Sequence, residues 1–155
     1  MQSVYLILHN IRSTHNVGSI LRTADAAGVR KVYLCGYTPA PIDRFGRKRA
    51  DIAKVALGAE ESVVWEHVED IREVIQTLKE KGVYMVAVEQ DASSVSYTEP
   101  YPQKETALIV GEETKGIEPD LLDLCDRIVE IPMAGKKESL NVAVATGIVL
   151  FRLVQ

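Results

Sequence analysis

The last part of the chain contains the feature that most limits how it can fold, because no charged residue occurs between Ser139 and Phe151. This apolar run is too short to span a bilayer, so it predicts a core helix that is covered on nearly every face. The preceding β-branched stretch, 128–131, ends at Pro132 and is typical of a strand. Ser139 and Asn141 are both good helix-capping residues. We therefore expect a strand, a loop and a buried helix, with polar residues at the start of the helix. A sheet should cover one side of this helix, and a second surface, such as another subunit, should cover the other.

Apolar segments of strand length alternate with segments of helical periodicity along the rest of the chain. This alternation predicts an α/β fold with a mostly parallel sheet flanked by helices. The predicted strands are 4–8, 32–35, 63–65, 83–88, 107–110 and 128–131, and the predicted helices before the apolar run are 16–27, 51–57, 68–81 and 119–124. In such sheets ligands bind beyond the carboxyl ends of strands. The junctions after Leu8, Val88, Val110 and Ile131 are therefore the expected binding positions.

Length and composition narrow the class of protein further. A chain of 155 residues predicts one domain, 1–155. The net charge of −4 means that any nucleic-acid partner must be held by a local basic patch. Two cysteines are too few for a disulfide scaffold, and neither they nor the three histidines form a metal-binding pattern. We therefore expect no metal site. Because we also find no signal peptide or membrane segment, we expect a cytoplasmic protein.

The first junction runs from His9 to Gly18 and is rich in polar residues. Asn16 is expected to cap the following helix, which places Arg22 about two turns along it. Taken alone, these two residues could equally be a simple cap and a solvated helix charge. The density of polar groups between two apolar elements is greater than a plain turn requires.

The second junction places two glycines, Gly111 and Gly116, around four polar residues directly after a strand. The spacing is like that of a phosphate-binding loop, but Ile117 and Glu118 stand where that loop needs lysine and serine or threonine. Adjacent carboxylates would also repel a triphosphate. A glycine loop with acids suits a neutral or cationic ligand that approaches the backbone closely, although a solvated turn remains an alternative.

Three motifs occur in a fixed order along the chain. They are N-x-G-x-x-x-R from Asn16 to Arg22, G-x-E-x-x-G from Gly111 to Gly116, and I-P-M-x-G-x-x-x-S-L-N from Ile131 to Asn141. In this order they resemble the SPOUT superfamily, specifically the TrmH-like RNA ribose 2′-O-methyltransferases. The resemblance extends over essentially the whole chain, and its third motif is long and specific.

The resemblance implies a C-terminal deep trefoil knot, a homodimer formed through the last helix, and S-adenosylmethionine as the cofactor. The knot would be an exception to the general rule against knotted chains. Three loops would hold the cofactor, and the sulfonium cation would suit a loop that carries acids. The implied cofactor-binding residues are Val88, Glu89, Val110, Gly111, Gly116, Ile131, Met133, Ser139 and Leu140.

The resemblance also implies a catalytic set. Arg22 matches the arginine that activates the ribose 2′-hydroxyl, Asn16 lies in the same motif, and Glu113, Ser139 and Asn141 match residues of the second and third motifs. A guanidinium has a pKa above about 12, so removing its proton at neutral pH is costly. We therefore expect Arg22 to steer a phosphate and to stabilise the developing alkoxide, whether or not it accepts the proton.

We expect no separate RNA-binding domain, so RNA must be held by the dimer surface or by a partner protein. The best local candidate is a basic cluster in the predicted loop 38–49, made of Arg44, Arg47, Lys48 and Arg49 and extended by Arg12. Such residues would contact phosphates without reading sequence. The sequence leaves tRNA and rRNA open as substrates. The competing interpretation is a non-catalytic RNA-binding dimer that keeps the fold.

Overall fold

A computed structural model describes residues 2–155. This part of the chain forms seven strands and six helices. In chain order they are β1 (Val4–His9), α1 (Thr14–Ala27), β2 (Lys31–Cys35), α2 (Ala50–Ala56), α3 (Ala59–Ser62), β3 (Trp65–Val68), α4 (Ile71–Glu80), β4 (Tyr84–Val88), β5 (Val95–Ser96), β6 (Thr106–Val110), α5 (Pro119–Leu122), β7 (Arg127–Glu130) and α6 (Val142–Val154).

The strands form one sheet in the order β3-β2-β1-β6-β4-β7-β5, and every pair in it is parallel. One face of the sheet packs against α1, α2, α3 and α6 around a core that includes Leu6, Leu8 and Leu108. The other face packs against α4 and α5 around Ile7 and Ile109. Strands buried on both faces explain the continuous apolar runs in the sequence. The predicted α/β fold with a mostly parallel, helix-flanked sheet is confirmed.

The start of α1 differs from the prediction. Ser13, not Asn16, is the N-cap, and the Ser13 side chain accepts a hydrogen bond from the backbone N–H of Asn16. Asn16 instead lies in the first turn and is 8% exposed. Its side chain is therefore available for contacts with other elements. The predicted stop at Gly28 is correct, because Gly28 caps the helix in the left-handed conformation that glycine adopts readily.

Three other elements depart from the sequence-based expectation. The strand predicted at 63–65 is β3, Trp65–Val68, so only Trp65 was placed correctly. Neither the single-turn helix α3 nor the two-residue strand β5 was predicted, because elements this short have too little periodicity to detect. None of these differences changes the central part of the sheet.

Helix α6 begins later than the apolar run. Asn141 caps it by accepting hydrogen bonds from the backbone N–H groups of Ala143 and Val144. Val149 and Leu150 are fully buried against the sheet. On the outer side, Val144 is 52% and Phe151 is 40% exposed. The chain itself thus covers only the inner side of this helix, and coverage by a second subunit, like the trefoil knot, stays a prediction.

None of the helices found in residues 2–155 has the length and apolar character needed to cross a membrane.

Candidate active site

A cavity of about 510 Å³ opens at the carboxyl ends of β4, β6 and β7. Its walls are the residues that directly follow these strands, together with the first turn of α6. Three of the four junctions singled out by the sequence therefore meet at one place. The lining residues are Val88, Glu89, Gln90, Val110, Gly111, Glu112, Glu113, Thr114, Lys115, Gly116, Glu130, Ile131, Met133, Ser139, Leu140, Asn141, Val142 and Ala145.

All the residues predicted to bind a cofactor line this one cavity. The lining combines apolar side chains, which suit a flat ring, with several carboxylates, which suit a cation. The loop after β7, called the third loop below, is tied to the loop after β4, because the Gln90 side chain donates a 2.6 Å hydrogen bond to the backbone oxygen of Glu138. The sequence missed Gln90, which lies beside the predicted Glu89, and it missed Glu112, Thr114 and Lys115, which occupy unspecified positions of the second motif.

The loop 111–116 folds back on itself so tightly that only glycine fits at both ends. A Cβ on Gly111 would lie 2.5 Å from the Cγ1 atom of Ile117 and 2.8 Å from the backbone of Gly116. Gly116 has a φ of 69°, and a Cβ there would overlap the Glu89 carboxylate. That carboxylate instead accepts a 2.8 Å hydrogen bond from the backbone N–H of Ile117. The two glycines thus bring the acid of one loop against the backbone of the next.

Glu112 is a buried anchor of this loop and was not predicted. It is 7% exposed, accepts a 2.8 Å hydrogen bond from the Thr114 hydroxyl, and lies 3.7 Å from the Arg12 guanidinium. The Thr114 hydrogen bond, with further help from Tyr37 and Arg12, lowers the pKa of Glu112 below its ordinary value. Arg12, predicted to contact RNA, therefore has a structural contact at the cavity rim. The motif spacing pointed only to the neighbouring Glu113.

A chain of side-chain hydrogen bonds links all three motifs. The amide of Asn141 donates to the side-chain oxygen of Asn16 over 3.2 Å, and the amide of Asn16 donates to the Glu113 carboxylate over 3.2 Å. The side-chain oxygen of Asn141 also caps α6. The series of hydrogen bonds therefore connects α1, the loop 111–116 and the start of the last helix. Asn16, Glu113 and Asn141, predicted from separate motifs, lie together in the fold.

The other two members of the predicted catalytic set are placed differently. Ser139 lines the cavity in an exposed part of the third loop. Arg22 is exposed on α1 and is not part of the cavity lining. Across residues 2–155, no three histidine, cysteine or acidic side chains are grouped as ligands for a metal ion.

The basic cluster lies where the sequence placed it, in the exposed loop before α2. Most of its charges have a partner within the chain. Arg47 pairs with Asp43, Lys48 with Glu61, and Arg49 with Asp51. Within the described part of the chain, Arg44 alone of the four forms no ion pair.

A parallel α/β sheet with an acid-lined cavity at its carboxyl edge is typical of proteins that bind a small cofactor or ligand at that edge. The model of the SpoU rRNA Methylase family matches residues 3–151, and the chain belongs to this family.

Curated relatives agree with this assignment. The chain is 39% identical over 150 residues to the 23S rRNA (guanosine-2′-O-)-methyltransferase RlmB of Salmonella typhi, and 38% identical over 154 residues to RlmB of Escherichia coli K12. These alignments cover 97% and 99% of this chain but 59% and 60% of the two relatives. The chain thus spans about three-fifths of the length of these relatives.

Solved structures give the same result for the fold. An S-adenosylmethionine-bound rRNA methyltransferase from Sinorhizobium meliloti superposes with a TM-score of 0.87 at 32% identity, covering 97% of this chain and 55% of the other. The TrmH/SpoU tRNA modifying enzyme of A. aeolicus superposes with a TM-score of 0.85 at 29% identity, covering 99% and 75%.

Proposed function

We propose that this chain transfers a methyl group from S-adenosylmethionine to a ribose 2′-hydroxyl of RNA. The observation that carries the proposal is the convergence of the loops after β4, β6 and β7 on one cavity, which gathers every predicted cofactor-binding residue. The activity named for the RlmB relatives and the cofactor named for the Sinorhizobium structure support it.

The cavity fits this cofactor in chemistry and in size. Pockets for small cofactors measure about 300–1,000 Å³, and this one is about 510 Å³. Val110, Ile131 and Leu140 would pack against the adenine ring, while Glu89 and Glu113 would favour the cationic parts of the ligand. When bound, the cofactor supplies an electrophilic methyl group. The close turn between Gly111 and Gly116 would let it contact backbone atoms directly.

The protein's own residues would act mainly by positioning. Asn141 holds the start of α6 at the cavity, and Asn16 holds the Glu113 carboxylate in place. We assign to Arg22 the steering of a phosphate and the stabilisation of the developing alkoxide. Since Arg22 does not line the cavity of one protomer, bound RNA or a second copy must complete the site around it.

We further propose that the protein acts as a homodimer and that α6 lies at the interface. The support is the apolar outer side of α6, where Val144 and Phe151 are exposed. Replacing Phe151 with aspartate should convert a dimer to a monomer in sedimentation velocity. An unchanged mass would exclude this surface. An RNA-modifying role also agrees with the predicted cytoplasmic location.

For RNA contact we propose Arg12, Arg44, Arg47, Lys48 and Arg49. Replacing Arg47, Lys48 and Arg49 with alanine should weaken RNA binding and flatten its salt dependence. The matched control replaces Lys79, Lys81 and Lys104, which precede β4 and β6 at the opposite edge of the sheet. If both triple variants bind RNA equally well, the basic cluster is only a solvated loop.

The substrate proposal favours rRNA, on the strength of the activity named for the RlmB relatives. The test offers the purified protein S-adenosylmethionine with a labelled methyl group, together with rRNA or tRNA from cells lacking the gene. Label in rRNA alone would support the proposal, and label in tRNA alone would show that the substrate is tRNA and not rRNA. No label in either pool would contradict the proposed reaction.

A further inference from the structure

Phe45 lies at the tip of the exposed turn between β2 and α2. Its side chain is 66% exposed, more than that of any other large hydrophobic residue recorded for the described chain. The guanidinium carbons of Arg44 and Arg47 lie 4.9 and 5.0 Å from the centre of its ring. An exposed aromatic ring with two guanidinium groups close to it offers aromatic surface and positive charge together.

The turn that presents Phe45 is firmly built. One oxygen of the Asp43 carboxylate accepts hydrogen bonds from the backbone N–H groups of Phe45 and Arg47, at 2.8 and 3.0 Å, and the other accepts from the Arg47 side chain at 3.1 Å. Gly46 supplies the positive φ of 77° that reverses the chain. The backbone N–H of Arg49 donates to the carbonyl of Pro41 over 2.8 Å and closes the loop. Ligand binding at the tip would therefore require little ordering of the backbone.

The base of the same loop is attached to the rim of the cavity. The Thr38 hydroxyl is buried, donates to the carbonyl of Cys35 over 2.8 Å and accepts from the backbone N–H of Ile11 over 3.0 Å. Ile11 precedes Arg12, whose guanidinium reaches Glu112 at the cavity. The turn is thus connected through a few hydrogen bonds to the first-motif loop.

Charge alone gives this turn limited affinity for RNA. Arg47, Lys48 and Arg49 are each paired with a carboxylate, which offsets much of their attraction for phosphate. Within the described residues, the Phe45 ring and the Arg44 guanidinium are the parts of the turn that are not paired with a carboxylate. A contact that uses this ring must come from a flat, polarisable group, and in RNA that group is an unpaired base.

We propose that Phe45 is a stacking platform for an unpaired base of the substrate RNA, and that Arg44 and Arg47 contact the phosphates on either side of that base. The inference rests on the proposed function and deepens it, because it assigns the substrate a single-stranded segment beside the methylated nucleotide. Stacking tolerates any base, so the platform selects unpaired RNA without reading its sequence.

The experiment measures binding of a single-stranded RNA oligonucleotide and of a duplex of the same length. Phe45→Leu keeps an apolar side chain but removes the ring, and Phe45→Trp keeps the ring. We expect Phe45→Leu to weaken single-strand binding at least about fivefold with an unchanged salt slope, since stacking on one base contributes a factor of about 5 to 150. Phe45→Trp should bind as the wild type does, and Arg44→Gln should lower the salt slope.

A direct reading of stacking comes from fluorescence. Trp65 is the single tryptophan of the chain, so Phe45→Trp in a Trp65→Phe background places the one indole at the tip. Single-stranded RNA should quench its emission, and duplex RNA should not. The Trp65→Phe variant alone is the control for folding and for RNA affinity.

Several outcomes would overturn the inference. Equal affinities of the wild type and Phe45→Leu for single strands would show that Phe45 does not stack on a base, even if methyl transfer is intact and the proposed function stands. A change of oligomeric state in Phe45→Leu would assign the ring to a protein contact. Single-strand binding that depends on Phe45 without any methyl transfer would contradict the proposed function but not the stacking role of Phe45.

Discussion

Replacing Gly116 with alanine tests how the cavity is built. At a φ of 69° an alanine costs about 1–2 kcal/mol relative to glycine. Its Cβ would also displace the Glu89 carboxylate from the backbone N–H of Ile117, a loss of about 1 kcal/mol for a partly exposed hydrogen bond. Residues 113–115 of this loop are exposed, so an alanine variant can relax there in the free protein. Cofactor binding must then restore the tight turn, and the binding step supplies this energy. We therefore expect S-adenosylmethionine affinity to fall by about 30- to 150-fold, which corresponds to about 2–3 kcal/mol.

The assay is isothermal titration calorimetry with S-adenosylmethionine, accompanied by thermal unfolding. Gly135→Ala is the matched control, because Gly135 lies in the third loop and an added Cβ there would meet nothing within 4 Å. We expect the control to bind normally and both variants to unfold near the wild-type temperature, since neither residue is in the core. If Gly116→Ala binds within about threefold of the control, the turn between β6 and α5 does not shape the cofactor site.

Three further predictions concern the polar groups around the cavity. Arg22→Ala should abolish methyl transfer and leave cofactor affinity nearly intact, because Arg22 does not line the cavity; substantial remaining activity would remove Arg22 from the mechanism. Asn16→Asp keeps the acceptor for Asn141 but places a carboxylate against Glu113. The free energy of unfolding should therefore fall, and the activation free energy of methyl transfer should rise, each by about 1–2 kcal/mol. Adding Glu113→Gln should restore part of the stability, and no recovery in urea unfolding would argue against this contact. The lowered pKa of Glu112 means that its contribution to stability is present above about pH 4.5 and is lost as the pH falls further. The stability difference between the wild type and Glu112→Gln should therefore shrink from about pH 7 to about pH 3, and a difference independent of pH would contradict the assignment.

Features that depend on runs of residues could be predicted from the sequence. The apolar strands and the uncharged run before Phe151 are long enough for their periodicity to reveal a buried parallel sheet and a last helix. Parallel strands bring their carboxyl ends to one edge, so the residues after Val88, Val110 and Ile131 were expected at the same edge of the sheet, and the adjacency of β6, β4 and β7 makes them neighbours. Their convergence on one cavity follows from the topology, and the motif order named the family correctly.

Features that depend on single contacts could not be predicted. Ser13 and Asn16 are both good caps, and only the packing of α1 decides that Ser13 takes this position and that Asn16 turns towards Glu113. Nothing in the sequence distinguishes the buried Glu112 from its exposed neighbour. One ion pair of the basic cluster joins residues that are distant in sequence, since Lys48 pairs with Glu61 on α3. This pair forms only in the folded chain, and it weakens the attraction of the cluster for RNA phosphates.

The most direct test of the central claim is alkaline hydrolysis of RNA that the protein has labelled with methyl groups from S-adenosylmethionine. A methyl group on the ribose 2′-oxygen removes the nucleophile that cleaves the adjacent phosphodiester, so the label must remain in an alkali-stable dinucleotide. Our account predicts that the label is found there and is absent with Arg22→Ala. Label in mononucleotides would place the methyl group on a base and contradict the proposed reaction. RNA that binds but acquires no label, under conditions where calorimetry detects cofactor binding, would contradict the account in favour of a non-catalytic RNA-binding protein.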